Sequence, residues 1–549
     1  MRRLLLLLPL LLTPVLAGEC STVLVGVMET STGYEGVLAN LTVMTSNGTG
    51  NVWVDTMPLT MIETQVSARL AQEVACDLLN LNCSTIDFFF VLRSEHSMVG
   101  GPSAGGAMAV CAMAALLEKP VYSDVAMTGT INPDGSIGPV GAVGAKAMVV
   151  DDYHYFLVPE DSPEITGELN VEVVGVRDVV DALKYYTGYE LVLGNVSNEE
   201  LVNDDYVSAM RLMSESLLSE AQLVLNGSSA GLLLNQSLDY YNNMSYYSSA
   251  SYSVQSLIES YYAQYVDSDV EAIIDLVSQD INDFKTDFLS SIVIDHLYDL
   301  ESFAITMERI SEAEQLVDDS RLALLDDPIV ALGDIAFAKA RLVTAVEWSS
   351  LLDYFSDSKV ISFNVNSIRS LVIERLEFAR NSITYAQTII EPLYLVSAQE
   401  HLNQAVSAYN NGDLVYSLFE SLKSRAEANL MMEVRGMENV SSKIDFKREA
   451  AQRAISNAMT RGFIPLMALS YLEYADAFDD APYQALTFLA YSREFSSLGS
   501  SINDLVGYDS GFNVNYSLKR VFLSEPVNQI FLIIIGFIIG LIVTLSRVS

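Results

Sequence analysis

Between residues 100 and 106 the chain reads Gly-Gly-Pro-Ser-Ala-Gly-Gly, with Ser103 in the middle. This run follows an apolar segment and leads into an alanine-rich one, so Ser103 falls where a helix begins. The first N–H groups of a helix have no intrahelical acceptor, and they point outward at the positive end of its dipole. Such donors can hold the oxyanion that develops during acyl transfer. Gly101, Pro102 and Ala104 then supply the backbone that surrounds the serine and a bound substrate. Taken alone, the box is equally a glycine-rich turn with a serine helix cap. A nucleophilic serine also needs a base. Lys146 is the one charge among the ten residues 141–150, which are otherwise apolar or glycine. A lysine packed among such residues loses hydration, its ammonium form is disfavoured, and the neutral amine can take a hydroxyl proton. The competing account is a lysine that snorkels to solvent from a helix edge. His96 lies seven residues before Ser103, but no matching acid accompanies it and Lys146 fits the role better.

The intervening residues carry a resemblance. Lys119-Pro120-Val121-Tyr122-Ser123-Asp124-Val125-Ala126-Met127-Thr128-Gly129-Thr130 continues into Gly135-Ser136-Ile137-Gly138-Pro139-Val140-Gly141. With the Pro-Ser-Ala-Gly box this resembles the proteolytic domain of the Lon protease family. There, a serine and a lysine about as far apart as Ser103 and Lys146 form a Ser-Lys dyad. The likeness is good over 93–160, looser over the rest of 21–191, and does not reach the helical region beyond. It implies the Lon-type α/β fold, a serine endopeptidase acting on polypeptides, Thr128 orienting Lys146, and a homo-oligomeric ring, commonly a hexamer. Two positions depart from the family: Gly100 stands where an acidic residue is common, and Thr130 where a glutamate is. No Gly-Lys pair occurs anywhere, so no phosphate loop exists in the chain and no nucleotide partner or cofactor is expected. Cleavage of unfolded or loosely folded chains is therefore expected to be ATP-independent. The rival readings are a catalytically inactive Lon-like assembly module and a cell-surface binding protein acting through its helical half.

The elements that must position these residues emerge from periodicity. Residues 22–28, 37–44 and 51–55 read as strands, 61–79 as a helix, and 85–92 as a buried strand. Residues 103–117 read as a helix, 125–131, 155–158 and 171–176 as strands, and 178–186 as a closing helix. Proline marks the end of this part: nine of fourteen occur by Pro163, and none lies between Pro163 and Pro328. From 195 onward the pattern is helical. Leu402, Ala405, Val406 and Tyr409 form one stripe, and Leu414, Leu418, Leu422, Ala426 and Leu430 another. Asn410-Asn411-Gly412-Asp413 turns between them, with Asp413 placed to cap the second helix. The Tyr/Ser-rich run 239–262 reads as a solvated helix face or a loop. The expected architecture is a mixed α/β (α+β) Lon-type domain over 18–191, an all-α helical-hairpin region over 195–523, and a single C-terminal transmembrane helix.

That last expectation comes from residues 527–546, whose apolar stretch is long enough to cross a bilayer. Residues 1–17 have the basic start, short apolar run and small cleavage-site residues of a secretory signal. Together they imply a single-pass protein of the cell membrane with its bulk extracytoplasmic. Nine Asn-x-Ser/Thr sequons fit such exposure. Thirty Lys and Arg against seventy Asp and Glu give a net charge of −40, which repels phosphate backbones and excludes nucleic acid as a partner. Cys20, Cys76, Cys83 and Cys111 suit two disulfides in an oxidising setting, with three pairings open. Neither their spacing nor the scattered His96, His154, His296 and His401 suggests a metal site.

Overall fold

Alternation along residues 37–45 builds a strand with one face inside: Ala39, Leu41, Val43 and Thr45 are buried, while Asn40 and Met44 between them are exposed. The computed structural model describes residues 18–505, apart from 32, 96–100, 164, 166–167, 195, 293–296, 353, 355–364, 436–439, 462 and 479. The chain divides into two units. One comprises residues 1–195, 381–396 and 427–453, the other 196–380, 397–426 and 454–549.

The first unit holds β1 (Glu19–Thr30), β2 (Gly33–Asn47), β3 (Val52–Met57), β4 (Ile86–Ser94) and β5 (Val125–Met127). It continues with β6 (Thr130–Ile131), β7 (Ile137–Gly138), β8 (Tyr155–Pro159) and β9 (Glu172–Val176). Its helices include α1 (Ile62–Leu78), α2 (Gly105–Leu116), α3 (Val143–Val149) and α4 (Val179–Thr187). Seven strands form one mixed sheet in the order β3-β4-β2-β1-β5-β8-β9, and β6 with β7 makes a separate hairpin. β1 pairs with β2 antiparallel, whereas β1, β5, β8 and β9 run parallel. Helix α2 is buried from Gly105 to Ala115, as its alanine-rich and almost wholly apolar sequence requires. Two disulfides form, Cys20–Cys111 and Cys76–Cys83. The first joins β1 to α2, and so ties the helix that follows Ser103 to the sheet.

Two readings of this unit need correction. The run 125–131 is not one strand: β5 stays in the sheet, and β6 leaves it for the hairpin. The break falls at Thr128-Gly129, where Gly129 N–H donates to the Ser103 carbonyl (2.9 Å) instead of to a neighbouring strand. The helix expected from 103 opens with a 3-10 turn, Pro102–Ala104, before α2 begins.

The described part of the second unit is helical. The remaining helices among the described residues are α5 (Asn198–Leu201), α6 (Asp204–Leu223), α7 (Ser228–Asn242), α8 (Tyr246–Tyr265), α9 (Val270–Ser291) and α10 (Leu297–Ala323). They continue as α11 (Pro328–Ser349), α12 (Val365–Ala386), α13 (Val396–Asn411), α14 (Leu414–Glu433), α15 (Ile444–Thr460), α16 (Leu466–Ala475) and α17 (Pro482–Leu505). The α13–α14 hairpin forms as its stripes require, with Gly412 at φ 87° in the turn and the Asp413 carboxylate accepting from Tyr416 N–H at 3.0 Å. The Tyr/Ser-rich run is neither a loop nor a solvated face. In α8, Ser249, Ser253, Ser256 and Ser260 fall on one helical stripe and are fully buried. Small side chains let the helices approach, and the hydroxyls find partners. The Ser237 hydroxyl lies 2.8 Å from that of Ser253, Ser214 donates to Ser249 (2.8 Å), and Ser256 donates to the Ala230 carbonyl (2.9 Å).

The membrane expectation is also corrected. Residues 527–546, like the signal segment 1–17, lie outside the described residues. Among those described, no helix is long and apolar enough to cross a membrane. The long helices carry charge at intervals along their length, as α10 does with Glu301, Glu308, Arg309 and Glu312, and a bilayer does not accept such residues cheaply. On that finding the single transmembrane helix and the cell-membrane location drawn from it are withdrawn.

Candidate active site

After β4 the described chain resumes at Gly101, whose φ of 102° suits a residue without Cβ. Pro102 then starts the 3-10 turn that carries Ser103. Gly105 opens α2 hard against the β6 strand. A Cβ there would sit 2.6 Å from the Ile131 side chain and 2.9 Å from its backbone nitrogen, so only glycine permits the approach. Two backbone bonds lock the box to the next segment: Gly129 N–H to the Ser103 carbonyl, and Gly106 N–H to the Gly129 carbonyl at 3.0 Å. Gly101, Pro102, Ser103 and Ala104 remain half-buried while everything from Gly105 to Ala115 is inside. A fixed, buried helix therefore presents a partly accessible serine at its start.

Lys146 comes from the short helix α3, whose first residue follows Ala142 at φ 55°. Val143 and Ala147 on the same helix join Val25, Ala126, Phe156 and Val158 in the core, which draws Lys146 inward with them. It is only 2% exposed. Its Nζ donates to Thr128 Oγ1 at 3.0 Å, and Thr128 Oγ1 donates in turn to the Ser103 carbonyl over a longer 3.4 Å. Thr128 is itself fully buried and anchored by its N–H to the Leu157 carbonyl at 2.9 Å. Ser103 and Lys146 are thus brought to the same threonine hydroxyl, one through its backbone and the other through its amine. Burial pulls the Lys146 amine down from the ordinary lysine value to about 8. At that value the amine is still mostly charged near pH 7, and the neutral form takes over as pH rises through 8.

One buried polar group of the first unit has no counterpart in the sequence reading. In the loop between β6 and β7, the Asn132 amide donates to Ser136 Oγ (3.0 Å), and Ser136 donates to buried Asp134 through both N–H (2.9 Å) and hydroxyl (2.7 Å). Lys447 lies 3.9 Å from Asp134 and also pairs with Glu433. Burial alone would push the Asp134 carboxyl up, but Lys447, Lys443 and the Ser136 bonds hold it below the usual carboxylate range. Asn-Pro-Asp-Gly-Ser is a readable turn string, yet no sequence signal points from it to Lys447, more than three hundred residues on. Thr130 is buried in β6, and Gly100 lies outside the described residues. Of the histidines, His96 and His296 also lie outside them. His154 is exposed and packs edge-on to Tyr155, and His401 pairs with Glu420 in the second unit. Among the described residues no group of three His, Cys, Asp or Glu could hold a metal ion.

Comparison with known proteins agrees on this stretch. Residues 97–169 match the family model of the Lon protease (S16) C-terminal proteolytic domain. The chain is 40% identical over 75 residues to Lon protease 1 of Sorangium cellulosum, a match covering 13% of this chain and 9% of the relative. It is 34% identical over 92 residues to the Lon protease of Trichlorobacter lovleyi (15% of this chain, 11% of the relative). To that of Mycoplasma mycoides it is 29% identical over 97 residues (17% and 12%). The chain thus spans about a tenth of the length of the curated relatives it matches. It carries a Lon-protease-like proteolytic segment, and a protease function has that support.

Proposed function

We propose that this chain is a serine endopeptidase in which Ser103 is the nucleophile and Lys146 the general base, with residues 18–191 as its catalytic domain. The single observation that carries this is the buried amine of Lys146, lowered to about 8 and held on the same threonine hydroxyl that leans on the Ser103 backbone. Neutral Lys146 takes the proton from Ser103 Oγ, and the oxygen attacks the substrate carbonyl. Backbone N–H groups of Ser103 and Ala104, after the donorless Pro102, are the donors for the resulting oxyanion. The Lys146 ammonium then returns the proton to the leaving amine, and the C–N bond breaks to leave an acyl-enzyme on Ser103. A water molecule, deprotonated by the same amine, attacks the ester; the acid departs and Ser103 regains its proton. Thr128 holds the amine in line throughout. Substrates are unfolded or loosely folded polypeptides, and the reaction as written uses no ATP, in keeping with a sequence that contains no Gly-Lys pair. By family likeness the enzyme works as a homo-oligomeric ring.

The test is hydrolysis of casein or a fluorogenic peptide by purified protein without nucleotide, beside Ser103→Ala and Lys146→Ala. Wild type is expected to cleave, and each variant to lose about a thousandfold in kcat/KM while unfolding at a similar temperature. If wild type and both variants are equally inert, the reading fails.

A further inference from the structure

The second unit contains a cavity of about 350 Å³ that has no part in the proposed proteolysis. That is the size of a small-molecule site. Its walls are aromatic: Tyr247, Trp348, Tyr471, Tyr474, Phe488 and Tyr491 line it. Several of these rings brace each other, Tyr474 edge-on to Phe488 at 4.7 Å and Tyr471 against Tyr491 at 5.5 Å, so the walls are prearranged.

The polar lining carries three cations, Arg309, Arg341 and Lys423, beside His401 and the neutral Ser251, Gln255 and Thr344. The carboxylates that balance them stand behind. Glu308 pairs with Arg309 (3.1 Å) and Lys423 (2.9 Å), Glu312 with Arg341 (2.8 Å) and Arg309 (3.4 Å), and Glu420 with Lys423 (3.0 Å) and His401 (2.6 Å). None of these three glutamates lines the cavity. Glu347 does, and it accepts from the Ser216 hydroxyl at 2.8 Å. Arg309 is only 7% exposed, and its Nε has no hydrogen-bond partner among the described residues. A buried guanidinium N–H without a partner is costly, and a carboxylate is the acceptor its planar fork matches. A cationic guest meets three positive side chains. A bare phosphate gains nothing from seven aromatic rings, counting Phe337, over which the Arg341 guanidinium sits at 4.7 Å.

We propose that this cavity binds an aromatic carboxylate, its ring against the tyrosine and tryptophan walls and its charge toward Arg309 and Arg341. The guest is either a free aromatic acid or the carboxyl-terminal aromatic residue of a polypeptide; both present the same chemistry. The proposal does not depend on the protease reading.

The chain has two tryptophans, Trp53 and Trp348. Trp53 is 54% exposed in the first unit, so Trp53→Phe leaves Trp348, buried in the cavity wall, as the single tryptophan of a full-length chain, to be excited selectively over tyrosine. N-acetylphenylalanine titrated into that variant should shift its emission saturably, with a Kd below about 1 mM. N-acetylphenylalanine amide and N-acetylalanine should bind at least about tenfold more weakly. A peptide ending in Phe, compared with its amide, separates the sources: comparable binding of peptide and free acid identifies a chain end, binding of the free acid alone a small metabolite. Arg341→Gln, whose side chain is partly exposed, should weaken the acid about tenfold with unchanged circular dichroism. Equal binding of acid and amide, or no response to any of these probes, overturns the proposal.

Discussion

Two lysines largely withdrawn from water, buried Lys146 in one unit and part-buried Lys423 in the other, have opposite fates. Lys146 sits in an apolar core with a threonine hydroxyl as its partner, and burial alone governs it, so its pKa falls to about 8. Burial pulls on Lys423 too, but Glu308, Glu420 and Glu312 outweigh it and raise its pKa well above the ordinary value. Loss of water is common to both. What differs is whether a carboxylate was buried alongside. An uncompensated amine is poised to exchange protons, whereas a compensated one is a permanent charge that holds helices α10 and α14 together.

The largest effect should come from breaking the compensated side. Lys423→Met leaves Glu308 and Glu420 short of a cation in a dry interior and should cost about 3–5 kcal/mol in urea denaturation. An unchanged midpoint would mean that water reaches this network. The opposite sign is expected for Lys146→Met, which should stabilise the protein by about 3 kcal/mol near pH 7 while abolishing hydrolysis. The sign comes from linkage: with the folded pKa depressed, the folded state binds fewer protons than the unfolded between about pH 8 and 10.5. Wild-type stability therefore rises with pH across that window, and the advantage of Lys146→Met fades through it. For Lys423, with its pKa raised, the contribution is fully present below the unfolded value and disappears only as pH climbs through the folded one. Denaturation curves at pH 7 and 10 should therefore show the Lys146 effect shrinking and the Lys423 effect unchanged.

A smaller change sharpens the contrast within the proposed catalytic pair. Log kcat/KM for peptide hydrolysis should rise with pH and level off above an apparent pKa near 8. Thr128→Val keeps the shape but removes the hydroxyl that receives Lys146, and should lower the plateau about tenfold and displace that pKa. Thr128→Ser should restore both. A variant that lost stability but kept the wild-type pH profile would reduce Thr128 to packing.

The strands of the sheet could be read because a half-buried strand imposes a period of two on its own residues, as at Ala39, Leu41 and Val43. Lys146 could be singled out because a lone charge among apolar residues has to be explained somehow. The disulfide partners could not be read, since four cysteines permit three pairings and only packing brings Cys20 to Cys111. The serine stripe of α8 misled for a related reason. Serine says nothing about burial until a neighbouring helix supplies its acceptor, as α7 does through Ser237.

Local sequence by itself determined which residues are chemically competent: a serine at a glycine-rich helix start, a lysine without a counter-ion, and an acidic chain unsuited to nucleic acid. Only the tertiary structure decided how those groups meet. It broke the 125–131 run at Thr128-Gly129, where both residues bond the Ser103 carbonyl and the Thr128 hydroxyl also receives the Lys146 amine. It also set Lys447 beside Asp134 and gathered cavity walls from helices far apart in the chain. Periodicity is imposed by a residue's immediate backbone and survives in the sequence. Hydration, and with it the protonation of a buried amine, is set by whatever the rest of the chain packs around it.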